Sequence, residues 1–563
     1  MRTAVSLSHR LRRPPSTAFD LLRLVVAVLA ASCGPSQSAD LIAVGRVWTG
    51  DSARPWAEAV VVQGDSIAAV GDSVPLLARA GDSTVVLRGG FVMPGFQDDH
   101  THFFGWGATL ASVDLRDADS PEEFTRRIAE FAKQLKPGEW VLGGNWDHER
   151  FPGATLPRRQ WIDSVTPVNP VLVDRYDGHM VFANSAALRA AGLDRRVKDV
   201  TGGEIGRDRS GELTGVFRDV AMDLVYRAVP APSESQLDSA LARAMDDAAR
   251  HGVTGVSHVV ASWPEVAALR RAKARATLTL RISAYPAIAD WRSVAETLRV
   301  NGPGDAMLRL AGVKGFVDGS LGSTTAWFFE PYSDARQTTG LTVTSLDSLR
   351  TWIGRADSAG LQVVVHAIGD RANAWLLDVF DSVSRANGPR ERRFKVEHAQ
   401  HLRREEIARF AALGVVPSMQ PYHAIDDGRW AVKRLGLERL KGTYAFRSLL
   451  DAGARLAFGS DAPVAPLDPI QGVYAAVTRQ TLDGKNPDGW IPEEKITVEE
   501  ALRAYTAANA WSTYAEPVTG FLRPGWKADI VVLDRDLTAI PPGEIRNASV
   551  EATVVNGKLV YRK

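Results

Sequence analysis

Eight short apolar runs, spread between residues 90 and 461, constrain the fold of this chain more than any other feature. Each run has the length of a buried strand, and helical patterns such as those of residues 345–359 and 404–413 separate them. The runs end at or beside His100, His258, Tyr285, Lys314, His366, His398, Met419 and Asp461. Eight alternating strand and helix units predict an α/β fold, a (β/α)8 TIM barrel, in which active sites lie where the strands end.

Residue types that bind metal ions stand at several of these strand ends. His100 and His102 are two residues apart, so on an extended strand both imidazoles point the same way and can share one cation. A lone His-x-His is a weak signal, because one core histidine and one exposed histidine would give the same pattern. Metal-binding types recur at other strand ends, which favours a metal site. Its candidate members are His100, His102, Lys314, His366, His398 and Asp461.

Six motifs give the chain a resemblance to a known family. They are PGFQDDHTH at residues 94–102, DRYDGH at 174–179, KGFVDGS at 314–320, VHAIGD at 365–370, VEHAQ at 396–400 and GSDAP at 459–463. With these motifs in this order, the chain resembles the metal-dependent amidohydrolase superfamily and, within it, the amidohydrolase-3 group that includes N-substituted formamide deformylase. The resemblance covers nearly the whole mature chain and implies the (β/α)8 barrel again.

The resemblance implies a role for each metal candidate. His100 and His102 would bind the more buried metal together with Asp461, whereas His366 and His398 would bind the more exposed one. Zn²⁺ is the expected metal, as one or two ions, although other divalent metals suit the same residue types.

Lys314 decides between one metal and two. In relatives with two metals this lysine is carboxylated by carbon dioxide, which turns a repelled ammonium group into a bridging carboxylate. The alternative is an ordinary lysine paired with Asp318 or Asp370, and the site would then hold one metal. We expect a carboxylated Lys314.

Metal chemistry then implies a hydrolytic mechanism. Water on zinc has a pKa near ~7, so metal-bound hydroxide would attack a substrate carbonyl at neutral pH. Asp461 would take the proton and pass it to the leaving amine. Relatives place a substrate-contacting histidine at the position of His179, so the resemblance implies that His179 binds the substrate or polarises its carbonyl oxygen; the alternative is a loop histidine without a role. Arg175 and Asp177, in the same stretch as His179, are predicted to bind the substrate. The expected reaction cleaves a carbon–nitrogen bond other than a peptide bond, in an amide, an N-formyl group or a cyclic amide.

Two kinds of alternative remain open. A mononuclear site on the same fold would suit an esterase, a lactonase, a dipeptidase or a deaminase. The presence of Lys314, and the lack of a glutamate on the helix after His366, count against deamination. The alternative of another class is a lipid-anchored binding protein that has lost catalysis.

The flanks of the predicted barrel, which we expect at residues 94–514, form further regions. Residues 40–93 and 515–563 contain short β-type runs, neither set long enough to bury a core alone. Together they predict one composite β-sandwich, the arrangement that the resemblance also implies. A long insertion, over about residues 115–250, separates the first two predicted strands of the barrel. It begins with a helix that has Ser120 as N-cap and Glu123 placed for a capping box. We predict that this insertion covers the barrel mouth.

The N-terminus indicates export. Arginines precede an apolar stretch at residues 24–32 that is too short to remain a comfortable membrane span, so residues 1–33 are a predicted signal peptide. Cys33, the single cysteine among 563 residues, follows this stretch directly and indicates a lipoprotein processing site. Cleavage near Ala39 or a retained anchor is the alternative. We expect a lipoprotein on the periplasmic side of the outer membrane, with no other contact to the membrane.

The net charge of the chain indicates which classes of partner it can bind. The formal net charge is +1, and no long basic run follows the predicted signal peptide, which argues against nucleic-acid binding. A small-molecule substrate is the expected partner. A homodimer is expected only because it is common in the superfamily.

Overall fold

The computed structural model describes residues 38–563. The predicted signal peptide and Cys33 lie outside these residues, so export and lipid attachment stay predictions. Within the described part of the chain, no helix combines the length and the apolar character needed to cross a membrane.

Four strands open the described chain. They are β1 (Ala39–Trp48), β2 (Trp56–Gln63), β3 (Ser66–Gly71) and β4 (Ala80–Pro94), with helix α1 (Ser73–Leu77) between β3 and β4. β1 pairs antiparallel with β2 and parallel with β4. The tight connection from β2 to β3 requires a positive φ, and Gly64 supplies it at +60°.

The next strand carries the first metal motif. β5 (Phe96–Thr101) is followed by α2 (Phe103–Thr109). We predicted a single apolar strand from residue 90 into this motif. The prediction is wrong in one respect, because residues 90–94 belong to β4 and only residues 96–101 form β5. Gly95 permits the change of sheet, since a Cβ at this position would lie 2.1 Å from Cγ2 of Thr254.

The predicted insertion contains a sheet of its own. Its elements are β6 (Val113–Asp114), α3 (Pro121–Ala132), β7 (Gly143–Trp146), β8 (Leu172–Arg175), β9 (Met180–Ala183), α4 (Ser185–Ala190), β10 (Gly203–Arg207), β11 (Leu213–Asp219) and α5 (Asp223–Tyr226). The strands form a six-stranded sheet of order β10-β11-β9-β8-β7-β6. α3 begins at the predicted N-cap, because the Ser120 side chain accepts a hydrogen bond from the Glu123 backbone amide. The predicted capping box is only half formed, since the Glu123 side chain pairs with Arg126 and Arg127 instead. The apolar face of α3 buries Phe124 and Ile128 in a core separate from that of the parallel strands.

Parallel strands and helices then alternate along the chain. The elements are α6 (Glu234–Arg250), β12 (Val253–Val259), α7 (Trp263–Ala274), β13 (Arg281–Tyr285), α8 (Trp291–Asn301), β14 (Leu308–Leu310), β15 (Gly312–Phe316), α9 (Leu346–Ser358), β16 (Gln362–Ala367), α10 (Asp370–Ala386), β17 (Lys395–His398), α11 (Arg404–Leu413), β18 (Val416–Met419), α12 (Pro421–Asp427), α13 (Ala431–Leu435), α14 (Phe446–Asp451), β19 (Ala457–Phe458), α15 (Pro469–Thr478), α16 (Val498–Ala504) and α17 (Ala507–Ser512). The largest apolar core of the protein lies between these strands and helices.

The parallel strands divide between two sheets. One has the order β14-β13-β12-β5 and the other the order β15-β16-β17-β18-β19. The predicted α/β alternation is confirmed, but the fourth predicted strand is split at Ala311, so that β14 pairs with β13 and β15 with β16. Isolated bridges join the sheet edges at Thr101–Ala462 and at Ala287–Lys314. No single continuous ladder of eight strands is present among residues 38–563.

The two ends of the chain meet in one sheet. β20 (Ile530–Leu533), β21 (Val550–Val555) and β22 (Lys558–Arg562) join the first four strands in a seven-stranded sheet of order β22-β21-β20-β4-β1-β2-β3. The ends therefore combine as predicted. They meet edge to edge through the pairing of β20 with β4, and the described residues show no second sheet of a β-sandwich.

A buried ion pair ties this end sheet to the parallel strands. Arg281 on β13 donates hydrogen bonds of 2.6 and 2.9 Å to the two carboxylate oxygens of Asp529, which directly precedes β20. Both side chains are nearly inaccessible to solvent. Because a buried charge without its partner is costly, this pair should matter for stability.

Replacing Asp529 by alanine should leave the Arg281 guanidinium buried without a carboxylate, lowering the free energy of unfolding by about 3–5 kcal/mol. Lys527→Ala is the matched control, because it breaks the partly exposed pair of Lys527 with Asp65 nearby. That loss should cost about 1 kcal/mol or less. Urea denaturation followed by tryptophan fluorescence measures both variants, and equal losses would contradict the expectation.

Candidate active site

The carboxyl ends of the parallel strands bring the predicted metal residues together. His100 is the penultimate residue of β5 and His102 follows the strand, Lys314 lies on β15, and His366 and His398 lie on β16 and β17. Asp461 follows β19, beside the Thr101–Ala462 bridge. All of these side chains except His102, which is about one-third exposed, are nearly inaccessible to solvent.

Three of these residues are close enough to hold one cation. Ligand atoms of His100, His398 and Asp461 all lie within 4.8 Å of one another. His102 extends the group, with its Nε2 3.3 Å from Asp461 Oδ1. His366 lies on the other side, where its ring centroid is 4.5 Å from that of His398.

Unpartnered buried atoms mark the point where a cation fits. His100 Nε2 and Asp461 Oδ1 are 3.1 Å apart, yet neither has a hydrogen-bond partner of acceptable geometry in the described chain. Buried polar atoms are nearly always paired, so such a group requires an explanation. An imidazole nitrogen and a carboxylate oxygen are preferred zinc ligands, and the donor set therefore suits a divalent metal.

Asp461 is strongly biased toward its ionised form. Burial would raise the pKa of this carboxyl, but the positive charge of His100 and the close contacts of Asp461 with the His100 and His102 rings hold the pKa well below its usual range. For His100, burial and the Lys314 charge oppose protonation, but Glu397 and Asp461 outweigh them and raise the pKa of the ring to about 9. Protonation of His100 would therefore compete with metal binding at this ring.

Lys314 is buried without a polar partner. Its Nζ makes no hydrogen bond or ion pair with any residue from 38 to 563, and it lies 4.9 Å from the ring centroid of Phe316. The alternative pairing with Asp318 or Asp370 is wrong, because Nζ contacts neither carboxylate within ion-pair distance; both carboxylates accept hydrogen bonds from backbone amides. Burial lowers the pKa of Lys314 to about 8, despite the nearby charges of Glu397 and Asp461.

Two further side chains and one backbone carbonyl orient the histidine rings. His100 Nδ1 lies 3.2 Å from Glu397 Oε2, and His398 Nδ1 lies 2.8 Å from Gln420 Oε1. His366 Nε2 lies 3.1 Å from the Gly319 carbonyl oxygen. Partners of this kind fix ring orientation in metal sites. Sequence reasoning missed Glu397 and Gln420, although Glu397 directly precedes a predicted ligand.

The predicted substrate-binding residues have partners of their own. The Arg175 guanidinium is fully buried, 3.0 Å from Asp147 and 2.6 Å from Asp177. Asp177 also accepts hydrogen bonds from Ser320 and Ser323. All three residues of the prediction, Arg175, Asp177 and His179, line the same cavity as the metal residues.

His179 lies beside the metal residues and has a carboxylate partner. Its ring centroid is 5.2 Å from that of His366, and its Nδ1 is 2.7 Å from Asp219 Oδ1. Burial opposes protonation of His179, but the hydrogen bond and charge of Asp219 raise its pKa. Asp219 was not predicted, since nothing in the sequence places the end of β11 near residue 179.

A cavity of about 530 Å³ opens over the metal residues. His100, His102, His366, His398 and Asp461 line it on one side. The insertion contributes Leu142, Leu172 and Tyr226, so apolar and hydrogen-bonding groups face the same space. The volume is in the range of small-molecule sites.

Residues 83–561 match the profile of the Amidohydrolase family, and the chain belongs to this family of metal-dependent hydrolases. The expected family resemblance is therefore confirmed. The chain is 39% identical to Protein LONG AFTER FAR-RED 3 of Arabidopsis thaliana, over 92% of this chain and 91% of that protein. It is 29% identical to N-substituted formamide deformylase of Arthrobacter pascens, over 94% and 99%. The crystal structure of an uncharacterized metal-dependent hydrolase from Pyrococcus horikoshii superposes with a TM-score of 0.72 at 29% identity, covering 89% and 99%.

The loss of metal affinity on substitution should be largest for a residue of the cluster, smaller for a residue that orients one of its ligands, and absent for a remote residue. In chelator-treated protein, His398→Ala should weaken Zn²⁺ binding by more than the roughly 10–100-fold expected for Gln420→Ala, which only removes a partner of the ligand. His251→Ala, remote from the cluster, is the control and should bind zinc as the unaltered protein does. Competition with a chromogenic chelator gives all three constants. Unchanged binding by His398→Ala would contradict the assigned centre.

Proposed function

We propose that this protein is a hydrolase that uses a divalent metal, Zn²⁺ in our proposal, to cleave a carbon–nitrogen bond other than a peptide bond. Its substrate would be an amide, an N-formyl compound or a cyclic amide. The observation that carries the proposal is the buried His100, His398 and Asp461 cluster, with its unpartnered atoms at the wall of a substrate-sized cavity. The relative named N-substituted formamide deformylase supports the choice of bond.

The proposal divides the metal residues between two positions. His100, His102 and Asp461 would hold the more buried ion, and His366 and His398 the more exposed one. Lys314 would bridge the two as a carbamate, which needs a neutral amine, and its buried, unpaired Nζ with a lowered pKa supports that chemistry. Divalent ions bound here would lower the pKa of water to near ~7 and polarise a carbonyl oxygen.

The chain's own residues would then handle protons and orientation. Asp461, kept ionised by His100 and His102, would accept a proton from the attacking water and return it to the leaving amine. His179, which lies beside His366 and lines the same cavity, would make a hydrogen bond to the carbonyl oxygen of the substrate. Arg175 and Asp177 hold the loop that carries His179, and their contact with substrate would be through this loop.

We also propose that the two parallel sheets act as one (β/α)8 barrel. The bridges Thr101–Ala462 and Ala287–Lys314 would close the ring at the two places where the ladders stop. The end sheet would in turn fold over itself as a small β-sandwich. A bridge from Ser66 on β3 to Lys527, just before β20, supports that curvature.

Asp461→Asn should lower kcat by about 10²–10⁴-fold, because the amide cannot accept the proton, while bound metal is largely retained. Asp451→Asn, at an exposed carboxylate, is the control. The assay uses zinc-loaded protein and a panel of N-formyl amines, N-acyl amines, lactams, esters, lactones and dipeptides, with metal content measured in parallel. Turnover of esters or lactones alone would overturn the proposed bond. No turnover at all would favour a binding protein.

Carboxylation of Lys314 should be directly visible. With ¹³C-bicarbonate and metal at pH 8.5, one carbamate resonance is expected in the ¹³C spectrum, and native mass spectrometry should show two metal ions and one added carbon dioxide. Lys314→Ala should remove the resonance, whereas Lys433→Ala, at a partly exposed lysine, should keep it. Lys395, also buried, should not react, because Asp99 raises its pKa and keeps it protonated. One metal and an unmodified lysine would rule out the bridged site.

A further inference from the structure

Asp219 is a buried carboxylate of the insertion that the proposed reaction does not yet use. It ends β11, and its backbone adopts φ +47° and ψ −128°, a conformation that residues with a side chain rarely adopt. One carboxylate oxygen, Oδ2, has no hydrogen-bond partner in the described chain. Strained backbone and an unsatisfied buried charge both cost stability, and such features concentrate at functional sites.

The other carboxylate oxygen holds the ring of His179. Asp219 Oδ1 lies 2.7 Å from His179 Nδ1, and the Asp219 backbone amide donates to the His179 carbonyl oxygen at 3.2 Å. The two residues are therefore joined by side chain and backbone together. Because an ionised carboxylate can only accept, Nδ1 must carry the proton in this contact.

Fixing Nδ1 also fixes the direction of the other nitrogen. The ring lies beside His366 and lines the cavity, so the edge opposite Asp219, which carries Nε2, is the one available to a bound molecule. The surrounding chain makes room for this arrangement. A Cβ on Gly319, in the KGFVDGS motif, would lie 2.1 Å from Oγ1 of Thr325 and 2.8 Å from Asp219 Oδ1, so a larger residue there would clash with both side chains.

We infer that Asp219 is a positioning residue, which acts through His179 by holding its ring with Nδ1 protonated and Nε2 directed at the substrate. The inference rests on the proposed function, because it assigns His179 a contact with the reacting carbonyl. Asp219 itself is not among the residues that line the cavity. It plays the part that a carboxylate plays toward a histidine in other enzymes, where it selects the tautomer and the orientation of the ring.

A double-mutant cycle tests whether Asp219 acts through His179. Asp219→Ala should lower kcat roughly 10–100-fold, as loss of an orienting partner does elsewhere, with a smaller change in KM. In a His179→Ala background the same change should alter kcat by less than about twofold, since coupled residues are not additive. Asp199→Ala, at an exposed carboxylate of the same insertion, is the control. A further loss of tenfold or more in the double variant would overturn the inference.

Imidazole spectra give a readout that needs no turnover. In ¹⁵N-histidine protein, the His179 signals are identified by their absence from His179→Ala, and long-range ¹⁵N–¹H correlations report which nitrogen carries the proton. We expect a protonated Nδ1 in the unaltered protein and a mixture of tautomers in Asp219→Ala. Asp219→Asn, of nearly equal size, replaces the alanine variant if that one does not fold, and should shift the Nδ1 signal. A ring protonated only at Nε2, or spectra unchanged by either variant, would overturn the inference even if the proposed reaction fails.

Discussion

The burial of several charged and titratable side chains at one point is the constraint on which the rest of the site depends. An isolated buried charge is prohibitively costly, so each group must be paired, neutralised or bound to metal. Asp461 and His100 offset each other, and Lys395 is offset by Asp99 at 2.6 Å. Lys314 has no such partner, and its lowered pKa is the physical result. The same desolvation that destabilises its ammonium form favours the neutral amine.

Much of this centre could be predicted from local sequence. His100, His366 and His398 each follow an apolar run, and strand geometry alone sends such positions to one edge of parallel sheets. Their orienting partners could not be predicted in this way, because Gln420 and Asp219 come from other strand ends and loops. The boundary between β4 and β5 was missed for a related reason. An apolar run has the same period in either sheet, and the close approach of Gly95 to Thr254 appears only in three dimensions.

The insertion contributes side chains to the cavity that the metal residues line. It carries His179 and Asp219, and it contributes apolar wall to the cavity. Ion pairs hold it against the helical segment that follows β18: Arg429, just before α13, pairs with Asp147 at 3.0 Å, and Arg434 on α13 pairs with Glu149 at 2.9 Å. The position of His179 relative to His366 therefore depends on contacts outside the centre itself. Substitutions of these paired residues should therefore affect turnover, although none of them is a metal residue.

The edge-to-edge union of the two chain ends has a consequence for the order of assembly. β4 gains its neighbour β20 only when residues 530–533 are present, and Arg281 gains Asp529 at the same moment. During synthesis, the edge of β4 is therefore an open row of backbone donors and acceptors while the whole parallel-stranded region forms. The last strands therefore complete the end sheet. A nascent chain arrested before residue 530 would leave the β4 edge open to pairing with a strand of another chain.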